Sequence, residues 1–190
     1  MTHPDPAPRR KARLQLVGIA MVFLLPMLVA GALGLAGWLP GTKSAGEAVL
    51  PERNFVAEQV RVALAAGGDW AWRDSEPRMT LVAFAGPGCA ERCYGALEGM
   101  AQARLMLGRN QPRLRLLYVG TPPADPARRA AMAAYWSAGE SVDPGLARFR
   151  PQAADSVAAL LVESNGTALA YYPAGFDGPA LLRDLLKVVK

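Results

Sequence analysis

The apolar run Leu81 to Ala85 ends in Gly86-Pro87-Gly88, and the next residues, Cys89-Ala90-Glu91-Arg92-Cys93, open a helical pattern. A short apolar stretch, a Gly/Pro break and then an amphipathic stretch describe strand, turn and helix. Cys93, Leu97, Ala101 and Leu105 fall at i, i+4 spacing, so the helix is expected over Cys89 to Leu107, closed by Gly108. A second strand is expected over Leu114 to Val119. Strand, helix, strand in that order forces parallel pairing through a right-handed crossover, which few folds accommodate.

The flanking segments extend the pattern. Met79 and Thr80 complete the first strand, and Asp125-Pro126 sets an N-cap before a first-turn proline, opening a helix to about Ser137. Gly139 to Pro151 reads as a loop. Ser156 to Glu163 and Thr167 to Tyr172 are β runs joined by Ser164-Asn165-Gly166, a hairpin turn, and Asp177 caps a last helix over Pro179 to Val189. The expected fold class is therefore α/β, a thioredoxin-like central mixed sheet flanked by helices. Ahead of it, Phe55 to Ala66 suits helix or strand equally, and Trp70-Ala71-Trp72 alternates as an edge hairpin would.

Leu14 to Leu39 is 26 residues without a charge, enough to cross a hydrocarbon core of roughly 30 Å at ~1.5 Å per residue. One N-terminal transmembrane helix is expected, with Pro26 in mid-span and Trp38 at the interface. The arm before it carries Arg9, Arg10, Lys11 and Arg13 against Asp5, which accounts for +3 of the +5 formal charge. That basic balance speaks to topology and not to nucleic acid. The positive-inside rule puts residues 1–13 in the cytoplasm, 14–39 in the inner membrane, a linker at 40–53, and a domain at 54–190 in the periplasm. Ala30-Gly31-Ala32 could serve a signal peptidase, but the apolar run is longer than a signal peptide's.

Cys89 and Cys93 are the only cysteines. One helical turn apart, their Cα atoms are expected at about 6 Å, within disulfide reach. Cys89 at the first turn would feel unpaired amides that favour a thiolate, with Arg92 near enough to assist, and Gly86, Pro87 and Gly88 leaving the sulfurs open. The pair can be dithiol, disulfide, or two thiolates on copper(I), the one cofactor these residues admit. A purely structural bridge would close a very small loop and remove little entropy from the unfolded chain. Zinc lacks ligands, since the single histidine, His3, lies on the far side of the span. Histidine-dependent catalysis is excluded in the domain, and no phosphate loop or paired-carboxylate site is present.

An anchored thioredoxin-like domain with CxxxC after its first strand resembles the Sco (SenC) family of cytochrome c oxidase assembly factors. Tyr118-Val119-Gly120-Thr121-Pro122-Pro123, Leu160 to Gly166 and Tyr171-Tyr172 add to the likeness, which spans about Thr80 to Lys190. The resemblance implies copper delivery to oxidase subunit II or thiol reduction of its cysteines, with subunit II or another oxidase assembly factor as partner. The family's copper ligands are two cysteines and a distal histidine. The cysteines carry over to Cys89 and Cys93; the histidine position falls near Asp155 or Ser156, neither a soft ligand. A dithiol assembly factor is expected first, then a copper(I) carrier, then an interaction module with a residual disulfide. Met100, Met106 and Met132 are expected as core filler, and Arg128, Arg129, Arg148 and Arg150 as a solvated face.

Overall fold

The computed structural model describes residues 7–35 and 44–190. The chain divides into two compact units, Met1–Lys43 and Ser44–Lys190. In the first, Ala7–Leu35 is one helix, α1, with Pro26 inside it. Its side chains described, at 15–29 and 31–32, are all exposed, Leu16, Phe23 and Met27 among them. Among the described residues no helix is long and apolar enough to cross a membrane. Residues 36–39 of the span expected at 14–39, like residues 1–6 of the basic arm, lie outside the described residues.

The second unit carries strands β1 (Glu47–Asn54), β2 (Ala63–Leu64), β3 (Met79–Ala85), β4 (Leu114–Val119), β5 (Ser137–Glu140), β6 (Val157–Val162) and β7 (Thr167–Tyr172). Its helices are α2 (Glu91–Met106), α3 (Pro126–Ala133), α4 (Pro144–Ala147) and α5 (Gly178–Val188). The strands form one mixed sheet in the order β1-β7-β6-β3-β4-β5-β2. β3 lies at its centre, parallel to β4 with Leu81 opposite Leu116, and antiparallel to β6 with Val82 opposite Leu160. The parallel pair and the antiparallel hairpin are those expected from the sequence.

Strand alternation divides the core into two layers. Leu81, Ala83, Leu116 and Tyr118 point to one face, where Leu97 and Met100 of α2 and Leu181 and Leu185 of α5 cover them. Val82, Phe84, Leu117 and Val119 point to the other, covered by Phe55, Trp72, Leu146 and Phe149. Both faces are buried, so the central strands read as continuous apolar runs.

Several expectations need correction. Residues 47–53, expected within a linker, belong to edge strand β1, which pairs only with β7 and breaks register between Ala48 and Arg53 around Pro51. A proline and three charged residues obscure this strand, yet an edge tolerates all of them. The helix expected to reach Ser137 stops at Ala133, because Ser137–Gly139 pairs with Leu117–Val119 as β5. Ser-Ala-Gly-Glu has little strand propensity, and the neighbouring strand decides the matter. The loop expected over 139–151 holds the end of β5 and α4, capped by Asp143 accepting from the Gly145 N–H at 2.7 Å.

Residues 55–59 are turns and only Ala63–Leu64 is strand. Trp72 is a core residue and not part of a hairpin edge: its indole N–H donates to the Val60 carbonyl at 2.7 Å and its ring lies 4.8 Å from that of Phe55. Met100 and Met132 are buried as expected, whereas Met106 is 63% exposed.

Candidate thiol site at the start of α2

β3 and β4 run parallel and end side by side, and the cysteine loop leaves β3 at that end. Gly120, just past β4, approaches so closely that a Cβ there would stand 2.8 Å from the Ala85 Cβ. Cys89 and Cys93 are joined in a disulfide with Cα atoms 5.2 Å apart. Cys93 is fully buried in the core layer under α2, while Cys89 is partly exposed. The helix starts at Glu91, two residues later than expected, so Cys89 stands just ahead of it and Ala90 occupies the N-cap position.

Alanine cannot cap with its side chain, and the amides at α2's start are satisfied from far along the chain. Asp155 Oδ1 accepts from the Ala90 N–H at 2.7 Å and the Cys93 N–H at 3.0 Å, and Oδ2 from the Arg92 N–H at 3.1 Å. The Arg92 guanidinium also lies 3.5 Å from Oδ2. Donation by the Cys93 amide, then by those of Arg92 and Ala90, holds the Asp155 carboxyl below its ordinary range. Arg92, expected to assist a thiolate, is instead the partner of this carboxylate.

The cysteine loop and the Asp155 loop are laced together. Gly86 N–H donates to the Ser156 carbonyl and Asp155 N–H to the Pro87 carbonyl, both at 2.9 Å. A Cβ on Gly86 would meet the Ala153 carbonyl oxygen at 2.4 Å and Ser156 Oγ at 2.7 Å. Gly86 therefore permits this approach, beyond the openness expected of it. Gly88, at φ +63° and with open space around it, and Pro87, exposed, form the outer turn.

Other charges near α2's start are paired. Glu91 is bound by Arg128, whose guanidinium also lies 5.2 Å from the centre of the Tyr94 ring. Arg148 stacks on Phe149 at 5.1 Å and Arg150 donates to the Ser141 carbonyl at 2.7 Å, so three of the four arginines expected as a solvated face are engaged. Among the described residues no group of three or more His, Cys, Asp or Glu could hold a metal ion. Two thiolates beside a hard carboxylate already committed to amides do not make a soft three-ligand copper set.

Both cysteines and the turn are marked in the sequence by their spacing, whereas Asp155 carries no local signal of its role there. Caps are sought within a few residues of a helix start. The spacing from the hairpin glycine was the one pointer to this position.

A mixed sheet with a CxxxC disulfide at the helix following its central strand defines a thioredoxin-like domain. Residues 79–190 match the family model described as "Transmembrane-like, thioredoxin-like, C-terminal domain", and the chain belongs to that family. No curated protein sequence matches it. The apo Sco1 protein of Thermus thermophilus is similar in structure, with a TM-score of 0.53 at 16% identity over 76% of this chain and 96% of that one. Peroxiredoxin Q of Xanthomonas campestris has a TM-score of 0.50 at 14% identity over 76% and 100%. Copper-bound ScoI of Arabidopsis thaliana has 0.49 at 12% identity over 67% and 94%. The neighbours are Sco proteins and other thioredoxin-like proteins, in keeping with the resemblance noted in the sequence.

Proposed function

We propose that this is a membrane-anchored, periplasm-facing thioredoxin-like protein that assists cytochrome c oxidase copper-centre assembly through the Cys89/Cys93 dithiol. The observation that carries the reading is the asymmetry of the pair: Cys89 partly exposed ahead of α2, Cys93 fully buried behind it. In that arrangement the Cys89 thiolate attacks a client disulfide, forming a mixed disulfide and releasing one client thiolate. Cys93 Sγ then attacks Cys89 Sγ, the second client sulfur leaves, and both client sulfurs take up protons. Two electrons pass to the client, and the pair ends as the disulfide seen here.

The site arrangement supports reduction of client cysteines, such as those of oxidase subunit II, above copper carriage, because among the described residues no group of three or more His, Cys, Asp or Glu surrounds the thiols. Anchoring is supported by α1, whose described side chains, apolar except Gln15, are exposed without exception. The basic arm ahead of it supports a cytoplasmic N-terminus. The test is Cys89→Ser in cells and in vitro: oxidase assembly and thiol exchange should both fail. Unchanged assembly and exchange would overturn the proposal.

A further inference from the structure

We propose that Asp155 sets the direction in which the thiol pair works: by committing the Ala90, Arg92 and Cys93 amides to a carboxylate, it denies them to the Cys89 sulfur and poises the pair as a reductant. This rests on the reading of Cys89 and Cys93 as a working dithiol. In a helix-terminal thiol site the reduced form is favoured when free N–H groups and the helix's positive end stabilise the attacking thiolate. Here the N–H groups of Ala90, Arg92 and Cys93 all donate to Asp155, at 2.7, 3.1 and 3.0 Å.

The carboxylate, held by the Cys93 N–H at 3.0 Å, also places negative charge at the start of α2, opposing the Cys89 anion. Glu91 is bound by Arg128, and Arg92, 3.5 Å from Asp155 on a largely exposed side chain, offsets only part of that charge, so both arginines are engaged with carboxylates and not with the Cys89 sulfur. Stabilising the thiolate pulls a disulfide toward reduction and makes it an oxidant; withholding that stabilisation makes the dithiol the better electron donor. Only the donor direction fits a protein that reduces client disulfides. The backbone bonds from Gly86 to Ser156 and from Asp155 to Pro87 hold Asp155 against the cysteine loop without using either sulfur.

The experiment uses the full-length protein in detergent, with Asp155→Asn and Asp155→Gly. Both residues accept the left-handed backbone of this position, φ +49°. Asparagine removes the charge and glycine also frees the amides. The first measurement is the dithiol/disulfide equilibrium in dithiothreitol buffers. Both variants should shift it toward the dithiol, glycine by about tenfold, which is ~30 mV. The second is the pH dependence of Cys89 alkylation by iodoacetamide after complete phosphine reduction. The midpoint should fall in both variants, and alkylation at pH 7 should quicken by roughly three- to tenfold.

Unchanged equilibrium and unchanged alkylation midpoint in both variants would overturn the role of Asp155. A wild-type pair that resists exchange in every buffer would overturn the working-dithiol reading instead. In that case the alkylation midpoints still decide whether Asp155 acts on the Cys89 sulfur.

Discussion

At the scale of single residues, the site depends on a hydrogen at Gly86. Any side chain there would strike the Ala153 carbonyl, so Gly86→Ala should push the two loops apart and cost on the order of 1–3 kcal/mol, as overpacking does. Thermal unfolding would read the loss, and amide exchange at residues 90, 92 and 93 should quicken in parallel as Asp155 withdraws. Wild-type exchange at those three amides would contradict the coupling. Cys89 and Cys93 were legible because their spacing is itself the chemistry. Asp155 was not, because a cap contributed from another loop leaves no local pattern at either place.

At the scale of elements, β1 is held by more than its ladder. The Asp184 carboxylate on α5 accepts from Ser44 Oγ at 2.9 Å, the Ala45 N–H at 2.7 Å and Lys187 Nζ at 3.1 Å. Asp184 is 6% exposed, so Asp184→Ala strands those donors and should cost on the order of 1–3 kcal/mol, read as a lower urea midpoint. Burial works against the Asp184 anion, but Lys187, Ser44 and the amides of Ala45 and Gly46 outweigh it and hold its carboxyl low. Asp155 is likewise held low, chiefly by the Cys93 amide.

For carboxyls depressed in the folded state, the stabilisation is present above the unfolded value of about 3.9 and is lost as pH falls through the folded one. Thermal stability should therefore hold from neutrality to about pH 5 and decline below about pH 4. Asp184→Asn should flatten that decline, and a slope equal to wild type would contradict the assignment. Tyr118, pushed up to about 12 by burial, should stay protonated in the folded protein where exposed tyrosines ionise, which absorbance titration would show.

The central strands β3, β4, β6 and β7 were legible to within a residue or two because apolar runs bounded by Gly, Pro and Asn have few other readings. β1 and β5 were not, and β2 lay in a stretch open to helix or strand. β1 carries three charged residues and a proline and β5 is Ser-Ala-Gly-Glu, and both become strands because a neighbour's edge offers them hydrogen bonds. Similarly, Asp125 and Asp177 cap with their own side chains as expected, a local device legible in sequence, whereas Asp143's cap in the stretch expected as a loop and Ala90's remote cap were not.

At the scale of the whole molecule, the chain has two units, the helix α1 and a domain that holds its own two-layered core, and the proposed anchoring is tested by fractionation. The full chain should sediment with membranes and resist alkaline extraction, whereas residues 44–190 alone should remain in the supernatant with the disulfide intact. Release of the full chain by alkali would contradict anchoring. The central claim is that Cys89 and Cys93 are a working pair, and the reduction potential of the full chain in detergent tests it most directly. A working pair gives one two-electron transition above about −300 mV, on the reducing side of the exchange range; a transition well below that value, where structural disulfides lie, or none in any buffer, would contradict it.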